Sequence, residues 1–172
     1  MAGESRRERI MVEIERRMKT MQQGQPTSDP YRTTFEVITR GSPLEGLHKT
    51  VKIGLAILDT TEFKSPSINC MSVNLRVVME FFVWVDTNEQ PSSVGNRVMA
   101  DIQRRMREDF NLTEPEDGRP LLERKIAEHV EEVGNDMFID GVQDTQITGA
   151  VTWNIRYKHG INDPRELVSS LA

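Results

Sequence analysis

Residues 74–85 read NLRVVMEFFVWV, and alternate positions separate into two sets. Leu75, Val77, Met79, Phe81, Val83 and Val85 are all apolar. Asn74, Arg76, Val78, Glu80, Phe82 and Trp84 begin polar and end aromatic. A strand sends successive side chains to opposite faces, so the first set makes an unbroken core face. A chain holding this segment must form a sheet and supply elements to cover that face. The second face leaves Val78, Phe82 and Trp84 as surplus apolar surface. Either a helix of the same chain covers them, the N-terminal one being suited, or another subunit does.

Two segments carry helical periodicity. Over residues 4–22, Ile10, Ile14, Met18 and Met21 recur every three or four positions, with charges between them. Ser5 and Glu8 make a capping-box pair at its start. Over residues 94–110, Val94, Val98, Met99, Ile102, Met106 and Phe110 form one stripe, and Ser92 or Ser93 can cap it. Further strands are expected at 33–39 (TTFEVIT), at 50–62 and at 149–159 (GAVTWNIRYKH). Pro66 predicts a long loop between the second and third strands. LLERKIAEHVEEV begins as a helix, with Leu122 and Ile126 four apart, and passes into a strand near Gly134. The TEPEDGRP stretch reads as a loop. The expected fold class is α+β: a mostly antiparallel sheet packed by two α-helices. Residues 1–172 form a single domain, with a short C-terminal tail from about 163 to 172.

Composition narrows the function. At 37% hydrophobic and 28% charged, the chain can build a core and is not wholly disordered. No apolar run approaches the roughly 18 residues of a membrane span, and the charged N-terminus does not read as a signal peptide. One cysteine, Cys70, rules out an internal disulfide and a cysteine-based zinc site. A net charge of −5 argues against general nucleic-acid binding.

No catalytic motif stands out. Phosphate-binding glycine loops, GxSxG and HExxH are absent. His48, His129 and His159 are far apart in sequence, and Cys70 has no base beside it. Asp136, Asp140 and Asp144 miss the spacing of a calcium loop. No enzymatic step, cofactor or metal is expected. Arg104, Arg105 and Arg107 form a basic patch on one helix, and Arg6, Arg7, Arg9, Arg16 and Arg17 do so on the other. Ion pairing along a solvated helix is the plain reading; a nucleic-acid surface is the rival.

The order of these segments resembles the tail terminator family of tailed bacteriophages, also called tail completion or minor tail proteins. The residues carrying the resemblance are LRVVMEFFVWV, the helix VGNRVMADIQRRMREDF, VEEVGNDMFIDG and the closing strand VTWNIRYKHGINDP. It spans about residues 5–165 and is one of pattern rather than of an invariant motif. It implies a homo-oligomeric ring, hexameric in the family, at the head-proximal end of the tail tube. Such a ring ends tube polymerisation and joins tail to neck, while DNA passes through the lumen without specific binding. The implied partners are the tail tube protein, a neck or connector protein and, as a further neighbour, the sheath protein. The implied location is the virion tail, after assembly in the host cytoplasm. Residues 23–50 and the TTEFKSPSINC segment depart from the pattern and point to contacts with one particular neck. Val78, Phe82, Trp84, Phe63, Lys64, Arg104 and Arg105 are the expected subunit-interface residues. Another head-tail connector or completion protein, or a small nucleic-acid-binding adaptor, are the alternatives.

Overall fold

The computed structural model describes residues 5–21, 31–44, 50–109, 112–116, 119–140 and 145–162. The expected C-terminal tail, Asp144 and His48 lie outside these residues. The elements run α1 (Arg6–Thr20), β1 (Val37–Arg40), β2 (Ile53–Ser67), β3 (Cys70–Trp84), α2 (Pro91–Arg107), β4 (Thr113–Glu116), β5 (Arg119–Lys125), β6 (His129–Asp140) and β7 (Gln146–Gly160). Five strands form one sheet in the order β1-β2-β3-β7-β6, and β4 with β5 forms a separate hairpin. The β1–β2 pair is parallel and every other pair is antiparallel. The fold is α+β, as the alternating and helical periods require.

The alternation in β3 decides the layers. Val73, Leu75, Val77, Met79, Phe81 and Val83 are buried, and so are Ile147, Val151, Trp153, Ile155 and Tyr157 of β7. Both helices lie on this face, α1 against β1 and β2 and α2 against β6 and β7. They contribute Ile10, Ile14 and Met18 from one stripe and Val94, Val98, Ile102 and Met106 from the other. Each such side chain stabilises the fold by roughly 1.5–3 kcal/mol when fully buried. The Ser5 side chain accepts from the Glu8 backbone N–H at 3.2 Å, capping α1 as its sequence implies. At α2, Pro91 occupies the first turn behind Gln90, and no side chain caps it, so neither Ser92 nor Ser93 has the expected role.

Four further expectations are corrected. The β2–β3 connection is no long loop: the strands continue to Ser67 and Cys70 and turn through Ile68 and Asn69. Pro66 is accommodated because β1 pairs only with Gly54–Ile57, leaving the outer side of β2 without a strand neighbour there among the described residues. Residues 121–125, expected to begin a helix, belong to strand β5, and TEPEDGRP, expected as a loop, contains β4 and the start of β5. The strand expected at 33–39 is confined to Val37–Arg40.

Candidate functional site: the open face of the sheet

Among the described residues, the second face of the sheet carries no helix. Strand register lays out its side chains in rows. Ala56, Glu80, Ala150 and Asp136 share one row, and Gly54, Phe82, Thr148 and Phe138 the next. Leu58, Val78, Thr152 and Gly134 make the middle row. Beyond it come Arg76 with Asn154 and Glu131, then Phe63 with Asn74, Arg156 and His129. A groove of about 510 Å³ runs over the first two rows, lined by Pro43, Leu44, Glu80, Phe82, Asp136 and Phe138 among others. The Leu44 side forms one wall and Phe138 the other.

The expected interface residues fare differently. Phe82 is 2% exposed, covered within its own chain, so it is not the uncovered aromatic that the sequence suggests. Its ring lies beside Gly54, where an added Cβ would stand 2.6 Å from Phe82 Cε1 and 3.0 Å from Val37 Cγ1. Nor does α1 cover it, since both helices pack on the other face. Val78 and Trp84 are half-buried. Trp84 lines a second groove of about 400 Å³ with Lys52, Asp86 and Arg97. Phe63 is 63% exposed. A register shift between Asp59 and Thr61 turns Lys64 to the helix-bearing side, where Nζ meets Glu62 at 3.0 Å.

The helix arginines are engaged inside the molecule. Arg104 stacks over Tyr31 at 4.1 Å and contacts Asp101 at 3.2 Å. Arg105 ties α2 to α1, donating to the Arg17 carbonyl at 3.2 Å and to Thr20 Oγ1 at 2.8 Å, and pairs with Glu108. On α1, Arg6, Arg9 and Arg17 are buried. Arg17 donates to Glu13 at 2.8 Å and to Asp109 at 2.7 Å, while Arg9 and Arg124 share Glu114. Arg6 donates to the carbonyls of Ile126 and Lys158, and burial, then Arg9, lowers its pKa to about 10. The basic patches expected on the helices are therefore mostly structural clamps. The hairpin β4–β5 lies against α1 through Glu114, a cover that sequence periodicity gave no sign of.

A further cluster sits where α1 meets the sheet. Tyr157 donates its hydroxyl to Glu62, which Arg7 approaches at 3.8 Å, while Arg7 Nε donates to Asp59 at 2.8 Å. Burial, then the bond to Glu62, pushes the Tyr157 pKa up. Burial also pushes Glu62 up, but the bond from Tyr157 and the charges of Lys64 and Arg7 outweigh it and hold the carboxyl below its ordinary range. The register shift brings Glu62 here.

The sequence-based list includes Phe63 but omits the other exposed large apolar groups of the described surface: Ile68 at the hairpin turn, Val133, Phe138 and Ile139 on β6, and Ile161 after β7. β6 is a sheet edge, with β7 its only strand neighbour in that order. Among the described residues, no three His, Cys, Asp or Glu side chains gather as metal ligands, and no helix is long and apolar enough to cross a membrane. Cys70 is buried. No family model matches the chain, and a search of curated proteins finds no match.

Proposed function

We propose that the chain is a structural virion protein of the tail terminator type, a ring-forming cap on the head-proximal end of a phage tail tube. The observation that carries the reading is a sheet with backbone unpaired, among the described residues, on both lateral sides. On one side lies β6, with exposed Val133, Phe138 and Ile139. On the other lies the distal half of β2, beyond its short pairing with β1 and beside the exposed Phe63 and Ile68. An unpaired edge is a template for another chain. A cyclic ring needs two different patches per subunit, joined head to tail, and opposite sides of one sheet can serve as them. The order of elements supports the same reading through its resemblance to the family. The internal pairing of the helix arginines supports it over the nucleic-acid adaptor, which needs a free cationic field.

The test is assembly. Added to polymerising tube protein, the chain is expected to stop tube growth and to appear as a ring at one tube end by electron microscopy. Ile139→Lys, at the exposed edge, is expected to abolish capping while leaving the monomer folded. Tubes that lengthen unchecked at saturating protein, with no ring on them, overturn the reading.

A further inference from the structure

Charge on the open face is unevenly distributed along the strand direction. Glu80, Asp136 and Asp140 lie on one side of the middle row, and Arg76 and Arg156 on the other, with Glu131 the one acidic residue beside them. None of Glu80, Asp136, Asp140, Arg76 and Arg156 has an ion-pair partner among the described residues, whereas the helix arginines are paired. Arg76 and Glu80 are four residues apart on β3, about 13 Å at ~3.3 Å per residue. They flank Val78 at equal distance.

We infer that a second copy of this chain covers the open face through a twofold axis crossing the middle row at Val78 and Thr152. The axis lies between the two sheets, perpendicular to the strands, and reverses strand direction while keeping each strand over its own counterpart. Arg76 of each copy then stands over Glu80 of the other, and the pair forms twice. The row of Phe63 and Arg156 falls over the row of Thr148 and Phe138, whose other half, at Gly54 and Phe82, is already covered within the chain. Phe63 thus meets that cover on the Leu44 side of the groove, and Arg156 lies over Thr148 beside the exposed Phe138, one row from Asp136. Glu131 opposite Asp136 is the one like-charged match, with Arg156 beside it.

The alternative placement, with strands parallel and the axis along β3, sets Arg76 over Arg76, and with the axis between β3 and β7 it sets Arg76 over Asn154, so that neither forms the Arg76–Glu80 pair. A head-to-tail ring contact is also a poor fit for this face, because its two charge patches point the same way and would claim two neighbours on one side. Isologous pairing satisfies both patches with one partner. Four strands at ~4.8 Å spacing over ~33 Å give a footprint of roughly 630 Å² per copy, of which the part at Gly54, Ala56 and Phe82 is already covered within each chain and meets the partner through that cover. This pairing is a property of the free chain and does not depend on the phage reading.

Sedimentation of the full chain across a concentration series, at low ionic strength, reads the result. A species of twice the monomer mass is expected, with no larger form. Arg76→Glu or Glu80→Arg alone is expected to weaken the pairing tenfold or more. Both changes in one chain, or the two single variants mixed, are expected to restore it. Val78→Cys in a Cys70→Ser background should be joined to itself by a short bis-maleimide, since a residue at a twofold axis meets its own counterpart. The inference is overturned by a chain that stays monomeric throughout, by assemblies larger than two without the Val78 cross-link, or by charge reversal that the reciprocal change fails to rescue.

Discussion

Phe82 and Gly54 face each other across β3 and β2, and the ring occupies the space that a Gly54 side chain would need. Phe81 and Gly149 repeat the arrangement on the opposite face, across β3 and β7. Two successive aromatics can thus be buried on opposite sides of one strand, each beside a glycine in a different neighbour. Gly54→Ala would place a Cβ 2.6 Å from the Phe82 ring and force it outward. A loss of about 1–3 kcal/mol is expected, the usual cost of overpacking, measured by urea denaturation. Gly149→Ala should cost more, because its Cβ would also meet the Asp136 carbonyl oxygen at 3.0 Å, which a side-chain rotation cannot relieve.

Glu13 is 3% exposed and accepts from both Arg16 and Arg17. Glu13→Ala leaves the buried Arg17 guanidinium with Asp109 as its remaining carboxylate. Breaking such a pair from one side costs about 3–5 kcal/mol. The lower end is expected here because Asp109 stays. Glu13→Ala with Arg17→Met should recover most of the loss in the same denaturation series.

Asn69 adopts φ +63° as the second of the two turn residues between β2 and β3. Glycine and asparagine accept this conformation readily; a β-branched side chain does not. Asn69→Gly is expected to leave the melting temperature nearly unchanged, and Asn69→Val to destabilise by about 1–2 kcal/mol. Equal effects from the two substitutions would contradict this backbone argument.

The Glu62 carboxyl is depressed in the folded chain relative to its ordinary 4.5. Its ionised form is thus bound more favourably in the native state than in the unfolded one. The resulting stability is present above the ordinary value and is lost as pH falls through the folded value. Wild type should exceed Glu62→Gln in melting temperature by a constant margin near neutrality, and the gap should narrow from about pH 5 downward. Calorimetry across that range checks the sign: a gap that widens toward acid refutes the assignment.

The layers were legible because burial imposes a period. The β3 alternation, the α1 stripe with its Ser5 cap, and the α2 stripe each carry one signal with one cause. Residues 119–125 were not legible: Leu122 and Ile126 are four apart, yet the segment pairs with Thr113–Glu116, a non-local choice that helical spacing does not encode. Pro66 misled for a related reason, since its effect depends on whether β2 has an outer neighbour at that point. The burial of Phe82 had a visible cue in Gly54, a glycine inside an otherwise alternating strand, but the cross-strand register was needed to join the two. Phe63 was named among the site residues, while Phe138 was not, because β6 lacks a clean alternation around its register shift at Glu132 and Gly134.

Arg6, near the beginning of the chain, is fastened to carbonyls at positions 126 and 158. During synthesis these acceptors leave the ribosome long after the helix does. The apolar stripe of the first helix can find β1, β2 and α2 earlier, but its Arg6 guanidinium must wait for residues 126 and 158 to emerge. Completion of the final strand is what locks the opening one in place, so shortening the chain before residue 158 would unfasten its opposite end.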